Sequence, residues 1–116
     1  MILTTGGIYH ESQPAFNPVK NDFTIRTIPK DVNVRELRIS HDSYYKKDAE
    51  KDINCVFPIE RFNELEKEGF IGSVAPYHLS MMGRILSRSM LQSKMIPEMI
   101  EHLEQNQVDL FFLVPA

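Results

Sequence analysis

The seven residues Val108-Asp109-Leu110-Phe111-Phe112-Leu113-Val114 constrain the fold of this chain more than any other stretch. All but Asp109 are apolar, without the in-and-out alternation of a strand that has one wet face. Such a run reads as a strand buried on both faces, which belongs inside a parallel sheet covered by helices on either side. It is far shorter than the roughly 20 residues that a membrane-spanning helix needs. Just before it, Pro97 permits a helix to about Gln105, with Ile100 and Leu103 facing inward and Asn106 as its carboxyl cap. Before that helix, the apolar segment 70–75 reads as another strand. Strand, helix and strand within this length form a right-handed βαβ unit. The expected fold is therefore α/β, an open, mainly parallel sheet with flanking helices. Because the chain stops as soon as its most apolar strand ends, an incomplete domain is expected, the amino-terminal portion of a longer fold.

The rest of the chain fits that class. Residues 1–7 are apolar and β-branched, then break at Gly6-Gly7, so a strand leads into a loop over 8–21. Residues 23–28 alternate apolar and polar and stop at Pro29, as a half-buried strand does. Residues 34–40 are a further strand candidate whose spacing fits imperfectly, with a short helical turn as the alternative. The mixed charges of 46–52 suggest a solvated face. The clearest helix spans 58–68, with Pro58 in its first turn, Ile59, Phe62 and Leu65 on one face, and Gly69 just past its end. Residues 79–92, with Met81, Met82, Ile85, Leu86, Met90 and Leu91, read as a helix or a loop with helical turns. Their methionines suit core packing better than a ligand surface.

Strands of open α/β sheets present functional residues at their carboxyl ends. On this reading Pro76, Tyr77, His78 and Ser80 follow the strand 70–75 into a candidate site, and His10 and His41 follow strands of their own. The plainer alternatives are that Tyr77 and His78 only cap and pack a strand end, and that His10 faces solvent. The order His41-Asp42-Ser43 is not a catalytic triad, because adjacent residues cannot hold its separated geometry. A metal site from the three histidines would require all three within coordination distance and has only chain order behind it. Cys55, the single cysteine, is expected to be a buried structural residue.

Composition excludes several classes of function. At 116 residues with 42% hydrophobic side chains the chain is one domain with one core. Its net charge of -3 gives no electrostatic reason to expect nucleic acid or an anionic membrane as partner. One cysteine cannot form an internal disulfide, and no basic-then-apolar leader begins the sequence, so a reducing, cytoplasmic setting is expected.

Several segments together resemble the selenoprotein B subunit family of glycine, sarcosine, betaine and D-proline reductases. They are Thr4-Thr5-Gly6-Gly7, Arg26-Thr27-Ile28-Pro29, Ile39-Ser40-His41, Asp52-Ile53-Asn54-Cys55-Val56-Phe57-Pro58-Ile59-Glu60-Arg61, Glu68-Gly69-Phe70-Ile71-Gly72-Ser73-Val74-Ala75-Pro76, His78 and Met82-Gly83. The resemblance spans nearly the whole chain. It implies reductive cleavage of a carbon–nitrogen bond in a small amino-acid-like substrate, with a dithiol donor and other reductase subunits as partners. It also implies a selenocysteine or cysteine directly after the strand that corresponds to 108–114, and a pyruvoyl group on a partner subunit. Here Ala116 is the last residue, so the redox residue is missing and the chain as given is expected to be inactive. A selenocysteine codon read as a stop accounts for that most simply.

On this reading His10, His41 and His78 are candidate catalytic residues around the missing selenocysteine or cysteine, with no resident cofactor or metal in the chain itself. Uncovered apolar surface over 110–114 would favour self-association into a homo-oligomer. The alternative is a non-catalytic binding or subunit-interaction module of the same fold.

Overall fold

A computed structural model describes residues 1–41 and 46–116. Four strands form one sheet: β1 (Ile2–Thr4), β3 (Arg26–Pro29), β5 (Tyr77–Ser80) and β6 (Phe112–Val114), in the order β3-β5-β1-β6. β5 and β6 both run parallel to β1, and β3 is antiparallel to β5, so the sheet is mixed but mainly parallel. A second, two-stranded antiparallel sheet joins β2 (Ile8–His10) to β4 (Leu37–Ile39). The helices are α1 (Lys47–Lys51), α2 (Ile59–Lys67), the short α3 (Arg88–Met90) and α4 (Ile96–Gln105). The α/β class with a mainly parallel sheet is as expected from the sequence.

Alternation along the strands divides the apolar residues between the two faces of the sheet. Leu3 and Leu79 face Met81, Met95 and Met99 on the α4 side. Ile2 and Ile28 face Phe57, Ile59, Ile8 and Leu37 on the α2 side. Met81, of the stretch 79–92, is a core residue as expected, and Met95 and Met99 join it there.

Both expected helices form, with sharp local causes. In α2, Ile59 is buried and Phe62 half-buried on the inner face. The chain leaves this helix through hydrogen bonds from Gly69 N to Glu66 O and from Phe70 N to Leu65 O. Ser87 caps α3 by accepting from the Met90 amide. Between α3 and α4 lies a π-helical turn, Leu91–Met95. Pro97 explains it: its ring would collide with the carbonyl four residues earlier, and widening the preceding turn makes room.

Four expectations need correction. The segment 70–75 is not a strand. Gly72 and Ser73 interrupt its apolar run, Phe70 is 79% exposed, and Val74 N is held by the Glu66 carboxylate instead of a ladder. The strand starts after Pro76, whose carbonyl accepts from Lys30 N, so Tyr77, His78 and Ser80 lie within β5 and not beyond its end. The loop expected over 8–21 opens with β2, because Ile8 and Tyr9 find a partner strand in 37–39. Residues 34–40 take both expected forms, a 3₁₀ turn at Val34–Glu36 followed by β4.

The strand expected to be interior, 108–114, shortens to β6 and lies at the sheet edge, with Leu113 60% exposed. Burial on both faces belongs instead to β1, every residue of which is buried, and to its neighbour β5. Apolar surface is nevertheless exposed over 110–114, as the sequence suggested. Finally, Cys55 is exposed, since the 3₁₀ turn Ile53–Cys55 directs Ile53, not the thiol, toward the apolar cluster.

Candidate functional site

The carboxyl ends of β1 and β5 meet at a tightly interlocked crossing of four segments. Thr4 Oγ1 accepts from Gly6 N (3.0 Å) and donates to Val56 O (2.7 Å), which turns the chain sharply after β1. Gly7 N donates to Met81 O, and Gly7 O accepts from Ser40 N, tying the glycine pair to β5 on one side and to the end of β4 on the other. Gly6 also bridges Met82. Thr5 N donates to Val114 O, and Ala116 N donates to Thr5 Oγ1 at 2.9 Å, so the segment leaving β6 arrives at the same place.

His41 fills the middle of this crossing and is 4% exposed. Two glycines make room for it. Gly7 has φ of +67°, and a Cβ there would lie 2.7 Å from Met82 Sδ and 3.2 Å from the His41 backbone nitrogen. A Cβ on Gly83 would meet Thr5 O at 3.1 Å and His41 Nε2 at 3.3 Å. Any side chain at either position would crowd the imidazole or strain the backbone.

The other two candidate histidines lie elsewhere. His10 is at the far end of the β2–β4 ladder, opposite Leu37, whereas His41 follows the near end where Ile8 faces Ile39. The imidazole of His10 accepts from Ser12 N at Nδ1 and pairs through Nε2 with Glu36 Oε2 at 2.9 Å. That bond and one from Asn33 hold the Glu36 carboxyl below its ordinary range.

His78 is fully buried inside β5, beside Ile2 at the amino end of β1. Its Nδ1 accepts from Ile2 N at 3.1 Å, and its ring stands edge-on to Phe57. Burial, with the positive charges of the Met1 amino group and Lys30, lowers its pKa to about 4. His78 is thus neutral near pH 7. His102, on α4, pairs with the Tyr77 hydroxyl at 3.0 Å.

The structure therefore brings His41, Thr5, Gly7, Gly83 and Ala116 together and leaves His10 and His78 apart from them. No three histidine, cysteine or carboxylate groups cluster to hold a metal among the described residues. Asp42 and Ser43, next to His41 in the sequence, lie outside the described residues. The sequence marks Thr5 and Gly83 only through the glycine pair after β1 and the Met82-Gly83 pair. No helix is long and apolar enough to cross a membrane among the described residues.

Comparison with known proteins agrees with the resemblance. The chain is 35% identical over 112 residues to the D-proline reductase subunit gamma of Acetoanaerobium sticklandii, covering 97% of this chain and 46% of that one. It thus spans about half the length of that curated relative. No solved structure matches it. The model of the glycine/sarcosine/betaine reductase selenoprotein B family matches residues 2–115. With that match over almost every residue, the chain belongs to the glycine/sarcosine/betaine reductase selenoprotein B family.

Proposed function

We propose that this chain is the amino-terminal half of the substrate-reducing subunit of a dithiol-dependent amino-acid reductase. It works in the cytoplasm with other reductase subunits, and its substrate is glycine, sarcosine, betaine or D-proline. The single observation that carries this reading is the Thr5–Ala116 hydrogen bond of 2.9 Å, which sets the segment after β6 against the strand-end crossing that holds His41. In a family whose redox selenocysteine or cysteine comes directly after this strand, that crossing is where the redox residue would stand. Open α/β sheets build their sites at such strand ends.

The redox residue would supply a nucleophile ionised near neutral pH, attacking the carbon that bears the amine. The pyruvoyl group would come from a partner subunit. The donors present fit a strand-end thiolate or selenolate: a buried imidazole, a threonine hydroxyl already engaging the incoming segment, and two glycines that keep the backbone close. Thr5 positions the segment after β6. His41 holds a proton that can stabilise the ionised nucleophile or pass to the departing amine. Of the three candidate histidines, His41 is the one assigned this role.

The test is a reductase assay with dithiothreitol as donor and each of the four amines as substrate. The 116-residue chain alone should show no turnover, while the product of the full reading frame, combined with its partner subunits, should reduce one of them. His41→Ala in that longer product should lower kcat by at least ~100-fold, the usual range for a lost general acid or base. Turnover by the 116-residue chain alone would overturn the proposal.

A further inference from the structure

The sheet is unfinished beyond β6, and its geometry dictates what can finish it. Phe112 N donates to Met1 O and Val114 O accepts from Thr5 N, so these two residues of β6 turn their peptide groups toward β1. Leu113, between them, turns its own amide and carbonyl outward to the free edge. An open edge of this kind is a template for another strand.

The two faces beside that edge are not equally covered. Leu113 stands in register with Leu3, whose side chain faces α4, so Leu113 lies on the α4 face, where it is 60% exposed. On one flank of α4, His102 reaches the Tyr77 hydroxyl of β5. On the opposite flank, with buried Met99 between, Ile96 and Ile100 turn toward the β6 side of the sheet and are 39% and 47% exposed. The α4 face therefore carries an uncovered apolar strip made of Ile96, Ile100 and Leu113. On the α2 face, by contrast, Phe62 already leans on Phe112.

The connections within the sheet fix the hand of any continuation. From β1 the chain crosses by α2 to β5, and from β5 it crosses back by α4, past β1, to β6. The two crossovers run in opposite directions and use opposite faces, as right-handed connections must. A further parallel strand beyond β6 continues in the direction of the second crossover, so its connecting helix falls on the α4 face, where the uncovered residues are. Ala116 N, held by Thr5 Oγ1, starts such a connection from the carboxyl end of β6. The D-proline reductase relative has the length for it, since this chain covers 46% of that protein.

We propose that the carboxyl-terminal half of the subunit docks here, adding a parallel strand to the free edge of β6 and seating its crossover helix on Ile96, Ile100 and Leu113. This inference rests on the reading of the chain as an amino-terminal half. A second copy of the chain, paired edge to edge, is the competing occupant.

Hydrogen exchange of the Leu113 amide tests it, compared between the 116-residue chain held dilute enough to be monomeric and the product of the full reading frame. Exchange should be slower by about tenfold or more in the longer product, and equally so after dilution. Ile100→Lys, which keeps a good helix former on α4, should lower the Tm of the longer product by about 5 °C and shift that of the 116-residue chain by less than about 1 °C. Val19→Lys, at an exposed loop position, should leave both unchanged. An unprotected Leu113 amide in the longer product would overturn the proposal. So would protection that is lost on dilution, which assigns the edge to a second copy, or an equal effect of Ile100→Lys on both proteins. Turnover by the longer product with its partner subunits is a separate readout, so an active subunit with an unprotected edge refutes the docking alone.

Discussion

The histidines show how differently one residue type is used in this chain. His78 is neutral because burial lowers its pKa to about 4, below the ordinary histidine value of 6.5. A depressed histidine pKa means that the unfolded chain binds the proton more readily, so this contribution is fully present above about pH 6.5 and fades as the pH falls toward 4. Its size is on the order of 3 kcal/mol. Denaturant unfolding at pH 7 and pH 4.5 should show that loss, and His78→Gln should flatten it. An unchanged pH dependence in the variant would assign the acid sensitivity to other groups. Gly7→Ala should cost about 2 kcal/mol, because alanine is strained at a φ of +67° and its Cβ presses on Met82 and His41. Thermal unfolding of that variant checks it.

Among the elements, α2 was fully legible in the sequence because its proline start, its three-residue apolar spacing and Gly69 are all local signals. Ile59→Ala, at 1% exposure, should cost about 3 kcal/mol. Phe62→Ala should cost less, about 2 kcal/mol, since Phe62 is half-exposed and its ring leans on Phe112 at 5.1 Å. Reversal of that order in urea unfolding would mean that α2 packs by another face. Strand β5 was harder to place. The run 70–75 has strand composition, and what excludes it is tertiary: Glu66 binds both Lys30 and the Val74 amide, holding the loop against α2. The same shift took His78 out of the strand-end site. The strand-end position expected of His41 is where the fold puts it, since Ser40 N, just before it, donates to Gly7 O in the turn after β1. The place of Thr5 carries no local signal, because its partner, Ala116, is distant in the sequence.

At the scale of the whole molecule, β1 and β5 hold the interior of the sheet, and β6 is an edge flanked by exposed Leu110, Phe112 and Leu113. An unpaired strand edge with apolar neighbours is a surface that pairs. Sedimentation should therefore show concentration-dependent association of the 116-residue chain, reduced in Leu113→Lys; a monomer at all concentrations would contradict this. The proposed reductase function depends above all on a redox residue placed directly after β6 and delivered beside His41 at the strand-end crossing. Its most direct test is the position of the redox selenium or sulfur atom in a crystal structure of the assembled reductase. The expected result is that atom beside the His41 imidazole at the strand-end crossing. A redox atom at the opposite end of the parallel strands, away from His41, would contradict it.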